Sequence, residues 1–326
     1  MPFWPVDTGR LADDSRMSHE SADQRPCRLS VRAYVFGGLG NQLFQFAAAR
    51  QLASGNEARL ELDLSRFNSH DPFKRSFLLD KFKLCPHQVV GLESCAPVPT
   101  RVRRILRGAS QALPLRRRRL IVERSPSRYL PLDSLRLSHS VTIDGYWQNE
   151  RYFGAAASSI RREYELAVPV STEGNKWLRR VLEAVHPVAV HVRRLHGVTS
   201  HEGATPDPTA EAKGLALTEQ YYRNAVDRIR GEVGTNAELF VFSDFEQWAR
   251  EALSFAPLVH FVTGESRPDY EDLWLMTHCR HHVIANSSFS WWGAWLAEPN
   301  AGVTIAPAAA QLLPTIPARW LRVSSK

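Results

Sequence analysis

Apolar residues along this chain keep two rhythms that take turns. Short β-branched or alternating runs, such as Arg32–Phe36, give way to stretches with helical spacing, such as Leu43–Ala53. A second strand is predicted over Ala58–Leu64 and another over Ser140–Ile143. Further on, helices are predicted over Trp177–Val185, Glu219–Gly231, Phe245–Leu253, Tyr270–His278 and Phe289–Ala297. Strands over Val188–Arg193, Leu239–Phe242, Val259–Val262 and His282–Ala285 alternate with them. Such alternation implies an α/β fold with parallel sheets covered on both faces. The chain has 326 residues, long for one core and comfortable for two. Gly174 marks the break, so two Rossmann-like domains facing a cleft are expected, residues 31–173 and 174–326. Residues 1–30 are polar, carry acids and lack an apolar signal core, so they read as a disordered leader. No apolar run has the length of a membrane span, and a cytoplasmic place is expected.

Composition narrows this little: 44% hydrophobic and 23% charged residues describe an ordinary globular protein. Charge says more. The net charge is +7, yet residues 101–128 hold ten arginines and one acid, Glu123. That segment is +9, leaving −2 for the rest. It is either a solvated insertion or a patch for nucleic acid, anionic lipid or a phosphorylated substrate. No aromatics are interleaved to stack on bases, which argues against nucleic acid. Cys27, Cys85, Cys95 and Cys279 form no Cys-x-x-Cys pair, so unpaired thiols are expected.

Candidate chemistry gathers where strands end. Val188–Val192 runs into Arg193 and Arg194, Leu239–Phe242 into Ser243 and Asp244, and His282–Ala285 into Asn286, Ser287 and Ser288. Ligands of open parallel sheets bind at those carboxyl ends. Alternation puts His191 and Arg193 on the face opposite Val188, Val190 and Val192. An arginine there wants an anionic partner, and its fork matches phosphate oxygens. Asp244 is either that partner or an acceptor for the N–H groups of a base. The small polar residues at 286–288 can cap the next helix, whose first amides and dipole favour an anion. The tryptophans that follow suit a plain core helix equally well. The stretch GGLGNQLFQFAAARQLA (37–53) partly mimics a dinucleotide fingerprint, with Asp63 in the place of a ribose-binding acid. A third glycine is missing, since that position is Leu43.

Taken together, GGLGNQLFQFAAARQLA, HVRR, FSD and NSSFSWWGAWLAE resemble the bacterial α-1,2-fucosyltransferases of glycosyltransferase family 11. GYWQNERYF and YYRNAV fit as well, and the resemblance runs from about Val31 to Pro307. It implies a GT-B-like fold, GDP-fucose as donor, inversion at the sugar carbon, no required metal, and the 2-hydroxyl of a terminal galactose as acceptor. Such acceptors are often O-antigen units on a lipid diphosphate, so the Arg101–Arg128 segment is expected to hold the enzyme near an anionic membrane surface. The chain contains no Asp-x-Asp pair for a metal-bound diphosphate.

By the same resemblance Arg193 grips the phosphates, while His191 and Asp244 hold the nucleotide with Ser243, Asn286, Ser287 and Ser288. Arg194 joins them or serves as support. Gly38 and Gly40 let the first loop approach the donor, and Asn41 and Gln42 hydrogen-bond the sugar or bridging oxygen. The family pattern continues HxRRxD, whereas Leu195 and His196 stand here. His196 is therefore a candidate general base. His201, Glu202 and Asp207 are alternatives, and Asp144 and Tyr146 are candidate acceptor contacts. Two other classes stay open: a nicotinamide-dependent oxidoreductase built on residues 37–63, and a non-catalytic sugar-nucleotide-binding protein.

Overall fold

The computed structural model describes residues 29–68, 75–91, 105, 108–125, 128–195, 207, 209–262, 267–308 and 316–324. Most of the expected leader, residues 1–28, lies outside them, and Ser30 already opens the first strand. Two all-parallel sheets form the frame. The first contains β1 (Ser30–Tyr34), β2 (Arg59–Asp63), β3 (Gln88–Val90), β4 (Leu120–Val122) and β5 (Val141–Asp144), in the order β3-β2-β1-β5-β4. The second contains β6 (His186–Val192), β7 (Ala237–Ser243), β8 (Val259–Phe261), β9 (His281–Val283), β10 (Thr304–Pro307) and β11 (Leu321–Val323), in the order β11-β10-β9-β6-β7-β8. Counted from β6, that is the doubly wound order 3-2-1-4-5-6, and its switch point lies between β6 and β9. In the first sheet the chain reverses between β1 and β5.

The reading of the sequence located every long element. It missed β3, β4, β10 and β11, three or four residues each, and a helix over Ala157–Glu163. Gly174 lies between the last strand of the first sheet and the first strand of the second. It sits in the first turn of the Thr172–Glu183 helix, where Ser171 caps its N–H. Cys85 and Cys279 are free thiols. Among the described residues no helix is long and apolar enough to cross a membrane.

The halves share one apolar core. Helix α1 (Leu39–Ser54) packs beneath the first sheet and meets the Ser288–Ala297 helix of the second half. Phe44 lies 4.6 Å from Trp291 and 4.7 Å from Trp292, ring centre to ring centre, and Phe153 stacks on Trp292 at 5.3 Å. All four rings are buried. The tryptophans thus weld two sheets, and the same packing sets two helix N-termini side by side.

Candidate active site

Strand register builds the first part of the site. β6 pairs with β7 through Val192↔Ser243 and with β9 through Val190↔Val283. Continuing both registers puts Arg193 between Asp244 and Asn286, at the switch point. Arg193 Nη1 lies 3.1 Å from Asp244 Oδ2, with about a quarter of the arginine side chain (26%) exposed. Asp244 also accepts the backbone N–H groups of Arg194 at 2.7 Å and Leu195 at 2.9 Å. Its carboxylate braces the turn and orients Arg193, the first of the two parts expected of it.

Arg194 turns the other way and is buried. Its Nη1 donates to Glu211 Oε1 at 2.6 Å and to the Leu217 carbonyl at 3.0 Å, and the guanidinium lies 4.0 Å over the Trp248 ring. That makes it support and removes it from the donor contacts. His191 is buried with its ring 5.5 Å from that of Phe289, in the first turn of the Ser288–Ala297 helix. The Ser243 hydroxyl accepts the Phe245 N–H at 3.0 Å, an ordinary turn cap. Buried Asn286 donates to the Gly214 carbonyl at 3.2 Å. Ser287 caps the helix by accepting the Phe289 N–H at 3.3 Å.

The second part comes from α1. It begins at Leu39, four residues earlier than its apolar spacing suggests, which draws Asn41 and Gln42 into its first turn. Asn41 Oδ1 accepts the Ser288 hydroxyl at 3.0 Å and the Gln148 amide at 2.8 Å. Gln42 is fully buried: it donates to the Gly37 and Ser76 carbonyls at 2.9 Å each and accepts the Leu78 N–H at 3.0 Å. With these partners it fixes a loop and leaves no group for a donor. Gly40 also changes role. A Cβ there would stand 2.6 Å from the Phe289 nitrogen, so its bareness admits the neighbouring helix rather than a ligand. Its carbonyl accepts the Trp292 indole N–H at 3.0 Å. Gly38 is different, because its missing side chain leaves room for the guanidinium of Arg75, 2.7 Å from the Cβ position. Sequence reasoning missed Arg75, which follows no strand and no period; the Lys74-Arg75 pair was its one signal.

On the acceptor side Asp144 is buried against Arg66 at 2.7 Å, so it is structural. Tyr146 is 40% exposed, with its ring 5.1 Å from Phe36, and remains open to a ligand. Asp63, the mimic of a ribose-binding acid, is buried and accepts the Ser65 N–H at 3.0 Å. Asp207 accepts from Thr209 and pairs with Lys213 at 2.9 Å. Those bonds hold its carboxyl below the usual range, which makes it a poor base. His196, His201 and Glu202 lie outside the described residues.

Two doubly wound parallel sheets, a guanidinium at the switch point of one and two adjoining helix starts make up the site. The chain belongs to glycosyl transferase family 11, which it matches over residues 126–313. It is 33% identical over 282 residues to an alpha-1,2-colitosyltransferase of Escherichia coli, covering 85% of this chain and 91% of that protein. It is 26% identical over 290 residues to the O-antigen biosynthesis glycosyltransferase WbnK of the same species, covering 83% and 91%. The fold is similar to that of the fucosyltransferase NodZ from Bradyrhizobium, with TM-score 0.51, 14% identity, and 85% and 94% of the chains covered. Family membership speaks for a glycosyltransferase and against the nicotinamide and non-catalytic alternatives.

Proposed function

We propose that this protein transfers fucose, or a closely related deoxy sugar, from its GDP derivative to the 2-hydroxyl of a galactoside, with inversion at the transferred carbon. One observation carries the reading: partly exposed Arg193 stands at the end of β6, across the switch point from the serine-capped helix start at Ser287–Ser288. The alpha-1,2-colitosyltransferase and WbnK relatives point to the sugar class and to surface polysaccharide as product.

In this reading the acceptor oxygen forms a bond to the anomeric carbon as the bond to the β-phosphate oxygen breaks. The acceptor proton leaves to a base, and GDP departs with the electron pair. Negative charge grows on the diphosphate, where Arg193 and the first amides of the Ser288–Ala297 helix stabilise it. Arg75 adds a second cation beside Gly38. Asn41 keeps both helix starts aligned and presents its Nδ2 group to the sugar. His191 packs under the nucleotide through Phe289. His196 is the proposed base; a large turnover loss in His196→Ala with recovery in His196→Asp supports that role. No metal is part of the scheme, so activity is expected to survive chelation by EDTA. The enzyme works peripherally at the inner membrane face, held by the basic segment.

The deciding experiment incubates the protein with GDP-fucose and with GDP-colitose against a panel of β-galactosides, followed by linkage analysis. An α-1,2-linked product supports the reading. Absence of transfer from both donors to every acceptor overturns it.

A further inference from the structure

Three arginines of the basic segment crowd one small hollow. Arg118, Arg124 and Arg128 line a concavity of about 60 Å³ together with Gln111, Val122 and Leu130. It lies beside β4, the edge strand of the first sheet. Gln111 fixes its shape. The Gln111 amide donates to the Val122 carbonyl at 3.2 Å, and its Oε1 accepts from Arg118 at 3.3 Å and Arg124 at 2.7 Å. Arg118 is held further by the carbonyls of Gln111 at 3.0 Å and Leu113 at 2.8 Å.

These bonds orient the guanidinium groups without neutralising them. Among the described residues no ion pair forms with any of the three. Glu123, the one acid of the segment, turns instead to the backbone N–H groups of Tyr146 and Trp147 at 2.8 and 2.9 Å. Burial and the neighbouring Arg124 and Arg128 charges lower the Arg118 pKa. A merely solvated run would spread its charges into water, as exposed Arg116, Arg117 and Arg119 do. Here one glutamine gathers two guanidinium groups beside a third, an arrangement disfavoured by repulsion until an anion enters.

We propose that this hollow is a binding site for a phosphate group, free or as the terminal phosphate of a diphosphate. A water needs roughly 10–15 Å³ of such space, so the hollow suits about four waters or one tetrahedral oxyanion. The terminal nitrogens of Arg124 and the fork of Arg128 supply paired donors to its oxygens. The site is separate from the β6/β9 cleft and does not depend on the donor reading. The oxyanion comes either from a soluble phosphoester or from a lipid headgroup.

The test titrates inorganic pyrophosphate by calorimetry into Arg75→Ala/Arg193→Ala protein, so that the two cleft arginines do not contribute. Arg124→Ser/Arg128→Ser is compared with Arg116→Ser/Arg117→Ser, which removes the same charge from the same segment. All four side chains are exposed, and matching thermal melts establish that the variants fold. Loss of about tenfold or more in affinity is expected in the first pair, which removes charged donors to the anion. Little loss is expected in the second. Equal affinity in Arg124→Ser/Arg128→Ser, or equal loss in both pairs, overturns the site. Sedimentation with phosphatidylcholine vesicles, with and without phosphatidic acid, separates the sources. Acid-dependent binding lost in Arg124→Ser/Arg128→Ser assigns a headgroup; pyrophosphate binding without vesicle binding assigns a soluble phosphoester.

Discussion

Asn41 accepts the Ser288 hydroxyl at 3.0 Å, and this bond joins the first turns of two helices 247 residues apart in sequence. Both helices therefore bring their positive ends to one place, which favours negative charge there. In Ser288→Ala the lost hydrogen bond is expected to cost about 1 kcal/mol of stability. The thermal midpoint falls by a few degrees and GDP affinity weakens as the helix starts lose alignment. In Asn41→Asp a carboxylate faces the diphosphate, and GDP binding measured by calorimetry is expected to fall about tenfold or more through charge repulsion.

The two glycines before and within α1 should behave oppositely. Gly40→Ala sets a methyl 2.6 Å from backbone of the facing helix, which cannot yield without moving it. Overpacking of this kind costs roughly 1–3 kcal/mol. Gly38→Ala meets only the flexible end of Arg75. Melting curves of the two variants are expected to differ by several degrees, with Gly40→Ala the lower; identical curves would contradict the helix contact.

Neighbouring arginines offer a second contrast. Arg193→Ala is expected to lower turnover by about 10²–10³-fold, as loss of a transition-state donor does, with little change in melting. Arg194→Ala removes buried bonds to Glu211 and Leu217 and the contact with Trp248. Its expected effect is a stability loss of roughly 1–3 kcal/mol, read by urea denaturation. A variant pair that swapped these phenotypes would reverse the roles.

Acid should loosen the second sheet. Burial, with the Arg280 charge and His186 nearby, lowers the pKa of His281 to about 4, and burial lowers His282 to about 4 as well. An unfolded imidazole titrates near about 6.5. Between those values the unfolded chain binds protons that the fold excludes, so stability falls as pH drops from about 6.5 toward about 4. Asp272, lifted to about 6 by burial, works in the opposite sense over most of that window. The two imidazoles outweigh it. Thermal melts across the window are expected to show the fall, and His281→Asn, which keeps an acceptor for the Val303 N–H, is expected to flatten it.

Strand and helix order was legible because each element carries its own period, and β6, β7 and β9 run on into the polar residues Arg193, Asp244 and Asn286. Three-residue strands such as β4 and β11 carry too little sequence to show a period. The roles of Gln42 and Gly40 were hidden for another reason. Each depends on what packs against it: a loop at residues 76–78 for one, and a helix from the far half of the chain for the other. Asp244 showed its type and place, while its choice of partner was settled by backbone amides that no side-chain pattern reveals.

Phe44, Phe153, Trp291 and Trp292 also set a mechanical rule for the molecule. Each large ring buries about 150–250 Å², worth several kcal/mol at roughly 25 cal/mol per Å². Prising the halves apart along that seam would wet all four rings at once. Any opening that admits a substrate is therefore expected to leave the seam shut, as a book opens about its spine.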